Sequence, residues 1–225
     1  MRVCQHYSGE IGLNKLHALD VGSSSGIIDN YLADSFGQVT GIDIDAAAME
    51  YARTQFQKAN LTFLPGDAMQ LQFADNSIDV VVCTQIYEHV PDADRMFAEI
   101  LRVLKPGGFC YFAGNTRLMF MEPHYHLPLL SVIPRPLAHR YMRMAGKGSF
   151  YHEKHFTYWT LKRKCQGFQI VDYSAAVIID PEAFGVSYML PPGSLKWRLA
   201  NAVARATPWA APIIWILRKP PALTT

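Results

Sequence analysis

The chain has 225 residues, half of them hydrophobic and 18% charged, with a formal net charge of +2. That length suits one α/β domain, and the composition excludes a disordered acidic or low-complexity chain. A balance this close to neutral carries no concentrated basic face, so no nucleic-acid partner is expected.

The four cysteines, Cys4, Cys83, Cys110 and Cys165, form no C-x-x-C pair, and Cys83 and Cys110 fall inside apolar runs. Buried free thiols are expected. The first residues lack an apolar core of signal-peptide length, and the apolar run 210–217 is broken by Pro212. It is far short of the ~20 residues that span a bilayer. A cytoplasmic protein is the expectation.

In chain order, His17–Val21 predicts a strand and 26–36 a helix. Gln38–Asp43 is a second strand, and Asp45 can cap a helix running to about Lys58. Leu61–Leu64 predicts a third strand. The run 78–83, apolar on both faces, predicts a central parallel one. Residues 93–104 form a helix stopped by Lys105-Pro106-Gly107-Gly108, and 109–114 a fifth strand. This alternation predicts a doubly wound, mostly parallel sheet with helices on both faces. Residues 115–153, rich in Pro, Met, His and Tyr, show no clean period. Then 155–165 predicts a helix, 168–179 a strand, Leu195–Ala206 an amphipathic helix and 213–217 a last strand.

The first strand runs into Leu19-Asp20-Val21-Gly22-Ser23-Ser24-Ser25-Gly26. A glycine-rich strand-to-helix turn lets a ligand approach backbone with no Cβ in the way, and aims helix N–H groups at it. Asp43 ends the second strand, where a carboxylate accepts both hydroxyls of a ribose. An ordinary helix cap competes with that role, but Asp45 already serves. Gly66-Asp67-Ala68 follows the third strand. A short acid there can accept from an adenine amino group, although a solvated turn aspartate is the commoner use.

Three further pieces follow in order: Asp75-Asn76-Ser77-Ile78-Asp79-Val80-Val81, then Glu88-His89-Val90, then Arg102-Val103-Leu104-Lys105-Pro106-Gly107-Gly108. With them, residues 17–114 closely resemble the class I S-adenosylmethionine-dependent methyltransferases, in the branch acting on small molecules, quinones, sugars and lipids. The resemblance implies a Rossmann-like fold in which Asp20, Gly22, Ser23 and Gly26 surround the methionine part of the S-adenosyl-L-methionine. Asp43 would hold the ribose, Ile44 pack on the adenine, and Asp67 with Ala68 read the adenine edge. Thr84 and Gln85 would lie near the reactive methyl. One departure is Ser24, where the family usually has glycine. The family sheet ends in an antiparallel hairpin, which 168–179 and 213–217 would supply. Little chain precedes the first strand, so 115–153 and 180–211 are expected to be lid insertions of one domain, 1–225.

Methyl transfer is an in-line displacement helped by positioning and by a base for the acceptor's proton. His89, just past the fourth strand, is the first candidate base, with binding to a helix end as its alternative. His124, His126 and His152 are further candidates for substrate binding or a proton relay. His124-x-His126 and His152-x-x-His155 with Glu122 and Glu153 could build a metal site. No cysteine or H-E-x-x-H pattern supports one, and no metal is expected. Aromatic and methionine side chains in 119–159 suggest a pocket for a ring or apolar acceptor, or else a second small core. A hydroxyl of a sugar, phenol or lipid-linked compound is the expected acceptor. C-methylation of a quinone precursor and a non-catalytic cofactor-binding scaffold are the alternatives. The stretch 195–219, with Leu195, Leu199, Arg198, Arg205, Pro208, Trp209, Trp215, Arg218 and Lys219, is expected to pack as lid, or to touch an anionic membrane peripherally.

Overall fold

The computed structural model describes residues 1–9, 11–207, 209 and 212–221. In chain order the elements are α1 (Arg2–Ser8), β1 (His17–Val21), α2 (Ile27–Leu32), β2 (Gln38–Asp43), α3 (Ala46–Gln55), β3 (Leu61–Pro65), β4 (Ile78–Thr84), α4 (Ala93–Val103) and β5 (Leu104–Gly114). The second half holds β6 (Met121–Glu122), β7 (Leu127–Pro128), α5 (Arg135–Met144), α6 (Tyr158–Lys164), β8 (Gln169–Asp172), α7 (Ser174–Ile179), α8 (Leu195–Ala206) and β9 (Ile213–Arg218).

The main sheet has the order β3-β2-β1-β4-β5-β9-β8. The first five named are mutually parallel, and β9 runs antiparallel to both β5 and β8. Strand order reverses between β1 and β4, and such a switch point opens a crevice beyond the carboxyl ends of those strands.

Successive strand residues face opposite sides, so neighbours divide between two cores. Leu19 and Val81 face α4 and α6, where Met96, Phe97, Ile100 and Leu161 are buried. Ala18, Val80 and Val82 face the other side, covered by Val3 and Cys4 of α1, Leu32 of α2 and Val177 of α7. α4 forms because its apolar residues recur at helical spacing, and Asp92 caps it by accepting from the Arg95 amide at 3.1 Å. Asp45 caps α3 by accepting from the Ala47 and Ala48 amides. All four cysteines are buried and free, and burial pushes the Cys4 thiol up to about 11. Such thiols are inert.

The second half departs from expectation in three places. The strand expected over 168–179 ends at Asp172, whose Oδ1 accepts from the Ser174 amide at 2.8 Å. That local bond turns the chain, and the alanine-containing stretch beyond it continues as α7. α5 was not legible: Pro134 leads into it, and inside it only Ala138 and Met142 are buried. The helix expected from His155 begins at Tyr158, because Thr157 caps it.

Residues 115–157 carry a small core of their own in Leu127, Leu130, Ala138, Met142 and Tyr151. The insertion between β8 and β9 folds toward α1: Phe184 and Val186 pack on that side, and Trp197 Nε1 donates to the Ile178 carbonyl at 3.0 Å. Pro208, Ala210 and Ala211 of that insertion lie outside the described residues. No described helix is long and apolar enough to cross a membrane.

Candidate active site

The crevice at the switch point is a cleft of about 280 Å³. It is lined by Gly22 after β1, Asp43 and Ile44 after β2, Gly66 and Ala68 after β3, and Ile86, His89 and Pro91 after β4. That volume lies at the small end for ligand pockets. Its floor needs glycine. Gly22 has φ +86°, and a Cβ there would fall 2.0 Å from Ile86 Cδ1. The Gly22 and Ser23 amides both donate to the Ile42 carbonyl at 2.9 Å, which ties the turn to β2.

Asp43 is held from behind. Its Oδ2 accepts from the Ser24 amide and its Oδ1 from the Asp45 amide, each at 2.9 Å. Each carboxylate oxygen can accept more than one bond, so capacity remains on the cleft side. Next to it, Ile44 is 77% exposed, an apolar side chain on the cleft wall with nothing covering it. A carboxylate with accepting capacity beside an open apolar face fits a nucleoside. When bound, S-adenosylmethionine would bring an electrophilic methyl to this cleft.

The other residues named for the cofactor divide. Gly26 starts α2 in the left-handed conformation and packs against Phe63. Ala68 lines the cleft, whereas Asp67 uses Oδ1 to accept from the Met69 amide at 2.8 Å. Thr84 ends β4. Gln85 follows with φ +56°, its Oε1 accepting from Asn115 Nδ2 at 3.1 Å. Asp20 and Ser23 do not line the cleft: Asp20 is buried beneath the turn, and Ser23 Oγ donates to Asp29 Oδ2 at 2.7 Å.

Asp29 had no sequence signal, since it lies inside a short helix. Burial pushes its carboxyl up to about 6, against the hydrogen bond from Ser23. Asp20 is driven well above the ordinary range by burial and then by the Asp29 charge. Two carboxyls this close retain a proton between them.

Beyond β4 the chain makes a tight turn in which the His89 amide donates to the Ile86 carbonyl at 2.9 Å. This puts His89 on the cleft rim, edge-on to His124 with ring centres 5.0 Å apart. His124 comes from the β6–β7 turn, which Glu122 organises: its Oε1 takes His124 Nδ1 at 2.7 Å and its Oε2 the Tyr125 amide at 2.8 Å. Burial alone would raise the Glu122 carboxyl, but His155, His124 and the Tyr125 amide outweigh it and hold it at about 2. His155 lies beside this pair, its Nε2 3.6 Å from Glu122 Oε1 and its Nδ1 3.4 Å from the Tyr87 hydroxyl.

Glu88 is 1% exposed, and neither carboxylate oxygen has a hydrogen-bond partner. Such a group costs about 1–3 kcal/mol when neutral and more when charged. Burial pushes it up, while its own amide and the His155, His89 and His124 rings pull the other way.

The histidine-rich segment thus splits. His89, His124 and His155 come together with Glu88 and Glu122, while the exposed His126 and His152 stand outside both ligand groupings. Glu88 stood inside the Glu-His-Val motif and could have been singled out there. Glu122 and His155 were named from sequence as possible metal ligands, but their meeting with Glu88 and His89 was not, because only the return of the 115–157 segment over β4 brings them in. Of the two expected lid segments, 115–153 borders the cleft through His124, which meets His89, and none of the described residues of 180–211 lines it.

A mostly parallel sheet with a cleft at its switch point defines the Rossmann-like class of fold. Residues 19–112 match the family model described as a methyltransferase domain. That stretch, a little under half of the chain, therefore matches a class I S-adenosylmethionine-dependent methyltransferase domain. Among curated relatives, the ubiquinone biosynthesis O-methyltransferase of Coxiella burnetii is 31% identical over 110 residues, 48% of this chain and 47% of that protein. The fatty-acid O-methyltransferase of Mycolicibacterium smegmatis is 31% identical over 112 residues, 49% and 39% respectively. The match therefore spans about half of such relatives or less.

Among solved structures, the methyltransferase in complex with the Haloferax volcanii Trm112 activator superposes with TM-score 0.61 at 22% identity, covering 97% of this chain and 89% of that one. The [4+2]-cyclase SpnF superposes with TM-score 0.59 at 20% identity, covering 98% and 81%. These are likenesses of fold alone.

Proposed function

We propose that this chain transfers a methyl group from S-adenosylmethionine to a hydroxyl of a small-molecule acceptor. The observation that carries the proposal is His89, which lines the cleft and meets His124 edge-on at its rim. Gly22, Asp43, Ile44 and Ala68 would hold the cofactor. His89 would orient the hydroxyl and take its proton as the oxygen attacks. A positioned imidazole contributes typically ~10²–10⁴-fold to such a transfer. A ubiquinone biosynthesis O-methyltransferase and a fatty-acid O-methyltransferase among the relatives support oxygen as the attacked atom.

The test is transfer of labelled methyl from S-adenosylmethionine to a panel of phenols, hydroxylated quinone precursors, sugars and fatty acids. Label appearing only on carbon or nitrogen acceptors would refute it. Cofactor bound without turnover on any acceptor would favour a scaffold. The likeness to a cyclase shows that this fold alone does not dictate methylation.

The location of the work is a second proposal: an otherwise soluble domain resting on an anionic membrane through α8. In support, Leu195, Leu199 and Val203 recur every fourth residue and are 73%, 60% and 53% exposed, with Lys196, Arg198 and Arg205 on the same helix.

A further inference from the structure

We propose that Glu88, His89 and His124 bind a divalent transition-metal cation at the mouth of the cleft, with Glu122 as the positioning residue for His124. One candidate ligand atom from each of the three lies within 4.8 Å of the others, a spacing one ion can bridge. Two imidazoles and a carboxylate on one side of an ion, with the other side open, is a donor set for zinc, manganese, iron(II) or cobalt rather than magnesium or calcium.

Three observations argue for this grouping. Glu88 is buried with both oxygens unpartnered, and among the described residues no lysine or arginine pairs with it or with Glu122. A buried carboxylate of that kind lacks a positive partner, and the cation would be one. The Glu122 carboxylate can only accept, so His124 Nδ1 donates to it and Nε2 keeps the lone pair a metal needs. A carboxylate behind a metal-binding histidine is the usual outer support of such sites. The alternative set, Glu122, His124 and His155, is less suited: Glu122 already spends Oε1 on His124 and Oε2 on the Tyr125 amide, whereas both Glu88 oxygens are free, and two members of that set are buried against one here. In the Glu88 set, His89 lines the cleft and His89 and His124 are both exposed, with Glu88 as the buried member.

The role follows from position and rests on the hydroxyl-acceptor reading above. A hydroxyl coordinated to the ion loses its proton more readily. The acceptor's O–H bond breaks with its proton leaving to solvent at the exposed mouth. The oxygen–methyl bond forms as the sulfur–methyl bond breaks, and the sulfur leaves as a neutral thioether. His89 then serves as ligand, and the ion replaces it as the group that activates the oxygen.

The experiment is titration of chelator-treated full-length protein with Zn²⁺, Mn²⁺ and Co²⁺ by calorimetry, with the visible spectrum of the Co²⁺ form. One equivalent should bind. His89→Ala and His124→Ala should abolish that site, and Glu88→Gln and Glu122→Gln should weaken it ~10–100-fold, all with wild-type circular dichroism. His126→Ala should bind as wild type does. Absence of a one-equivalent site in folded wild-type protein, or undiminished binding in both histidine variants, overturns the proposal. The two ideas separate cleanly. Full O-methylation in chelator with no bound metal would sink the metal and leave the hydroxyl reading standing. Stoichiometric metal binding at these residues, with no oxygen acceptor ever methylated, would do the reverse.

Discussion

The Asp43 carboxylate is fixed by two backbone amides, Ser24 and Asp45, each 2.9 Å from a different oxygen. Under the proposed function it would meet a ribose already oriented, with little side-chain freedom left to lose. Replacement by alanine removes the acceptor and also frees the glycine turn. Asp43→Ala should weaken S-adenosylmethionine binding by ~1.5–3 kcal/mol, measured by calorimetry. Asp43→Asn should lose nearly as much, because its NH₂ would face one of the two amides. Unchanged affinity in both variants would remove Asp43 from the site.

Replacing His89 separates chemistry from binding. The ring is exposed on the rim and holds no core contact, so His89→Ala should leave thermal stability and cofactor affinity near wild type. Turnover on a hydroxyl acceptor should fall ~10²–10⁴-fold. A parallel loss of melting temperature and activity would mark the residue as structural.

Ser24 sits at φ +48°, a left-handed conformation that a Cβ disfavours and glycine adopts freely. Ser24→Gly should be neutral to stabilising, by up to about 1 kcal/mol, since relief of strain competes with a looser unfolded chain. Chemical denaturation measures it. Destabilisation beyond 1 kcal/mol would show that the hydroxyl does more than occupy the turn.

The Asp20–Asp29 pair makes a pH signature. Burial raises Asp29 to about 6 from an ordinary 3.8. Between those values the folded protein keeps a proton that the unfolded chain has released. The Asp29 contribution to stability therefore falls as pH rises from about 4 to 6, by up to about 3 kcal/mol. Asp29→Asn, which can still accept from Ser23, should lack this slope. Wild-type and variant unfolding free energies that run parallel from pH 4 to 7 would contradict it.

For α8, sedimentation with anionic vesicles is decisive. Binding at low salt should weaken as salt rises and disappear in Leu199→Glu, whose parent side chain is 60% exposed and supports no core. Wild-type protein that stays in solution at low salt would end the membrane proposal.

How much of this was legible from sequence follows from where each signal is stored. The five parallel strands, the caps at Asp45 and Asp92 and the turn at Gly22 are written in consecutive residues. Apolar runs and capping side chains act within a few positions, so β1 through β5 and the place of Asp43 at the end of β2 could be read directly. Even α8 matched its predicted bounds, because its start depends on Ser194, whose Oγ accepts the Trp197 amide.

The remainder was decided by tertiary structure. Where β8 stops depends on one local bond at Asp172 against the pull of an apolar run, and periodicity does not rank such competitors. The meeting of Glu88 and His89 with His124, Glu122 and His155 depends on a long segment returning over the end of β4 and packing its own core at Leu130 and Met142. That segment has no period to announce it, because its burial is shared among turns rather than lined along one face. Histidine spacing in the sequence suggested His126 and His152 as partners. Of the histidines named from sequence, the folded chain brings in His124 and His155 and leaves His126 and His152 outside, because backbone direction in a turn, not distance along the chain, decides which side chains converge.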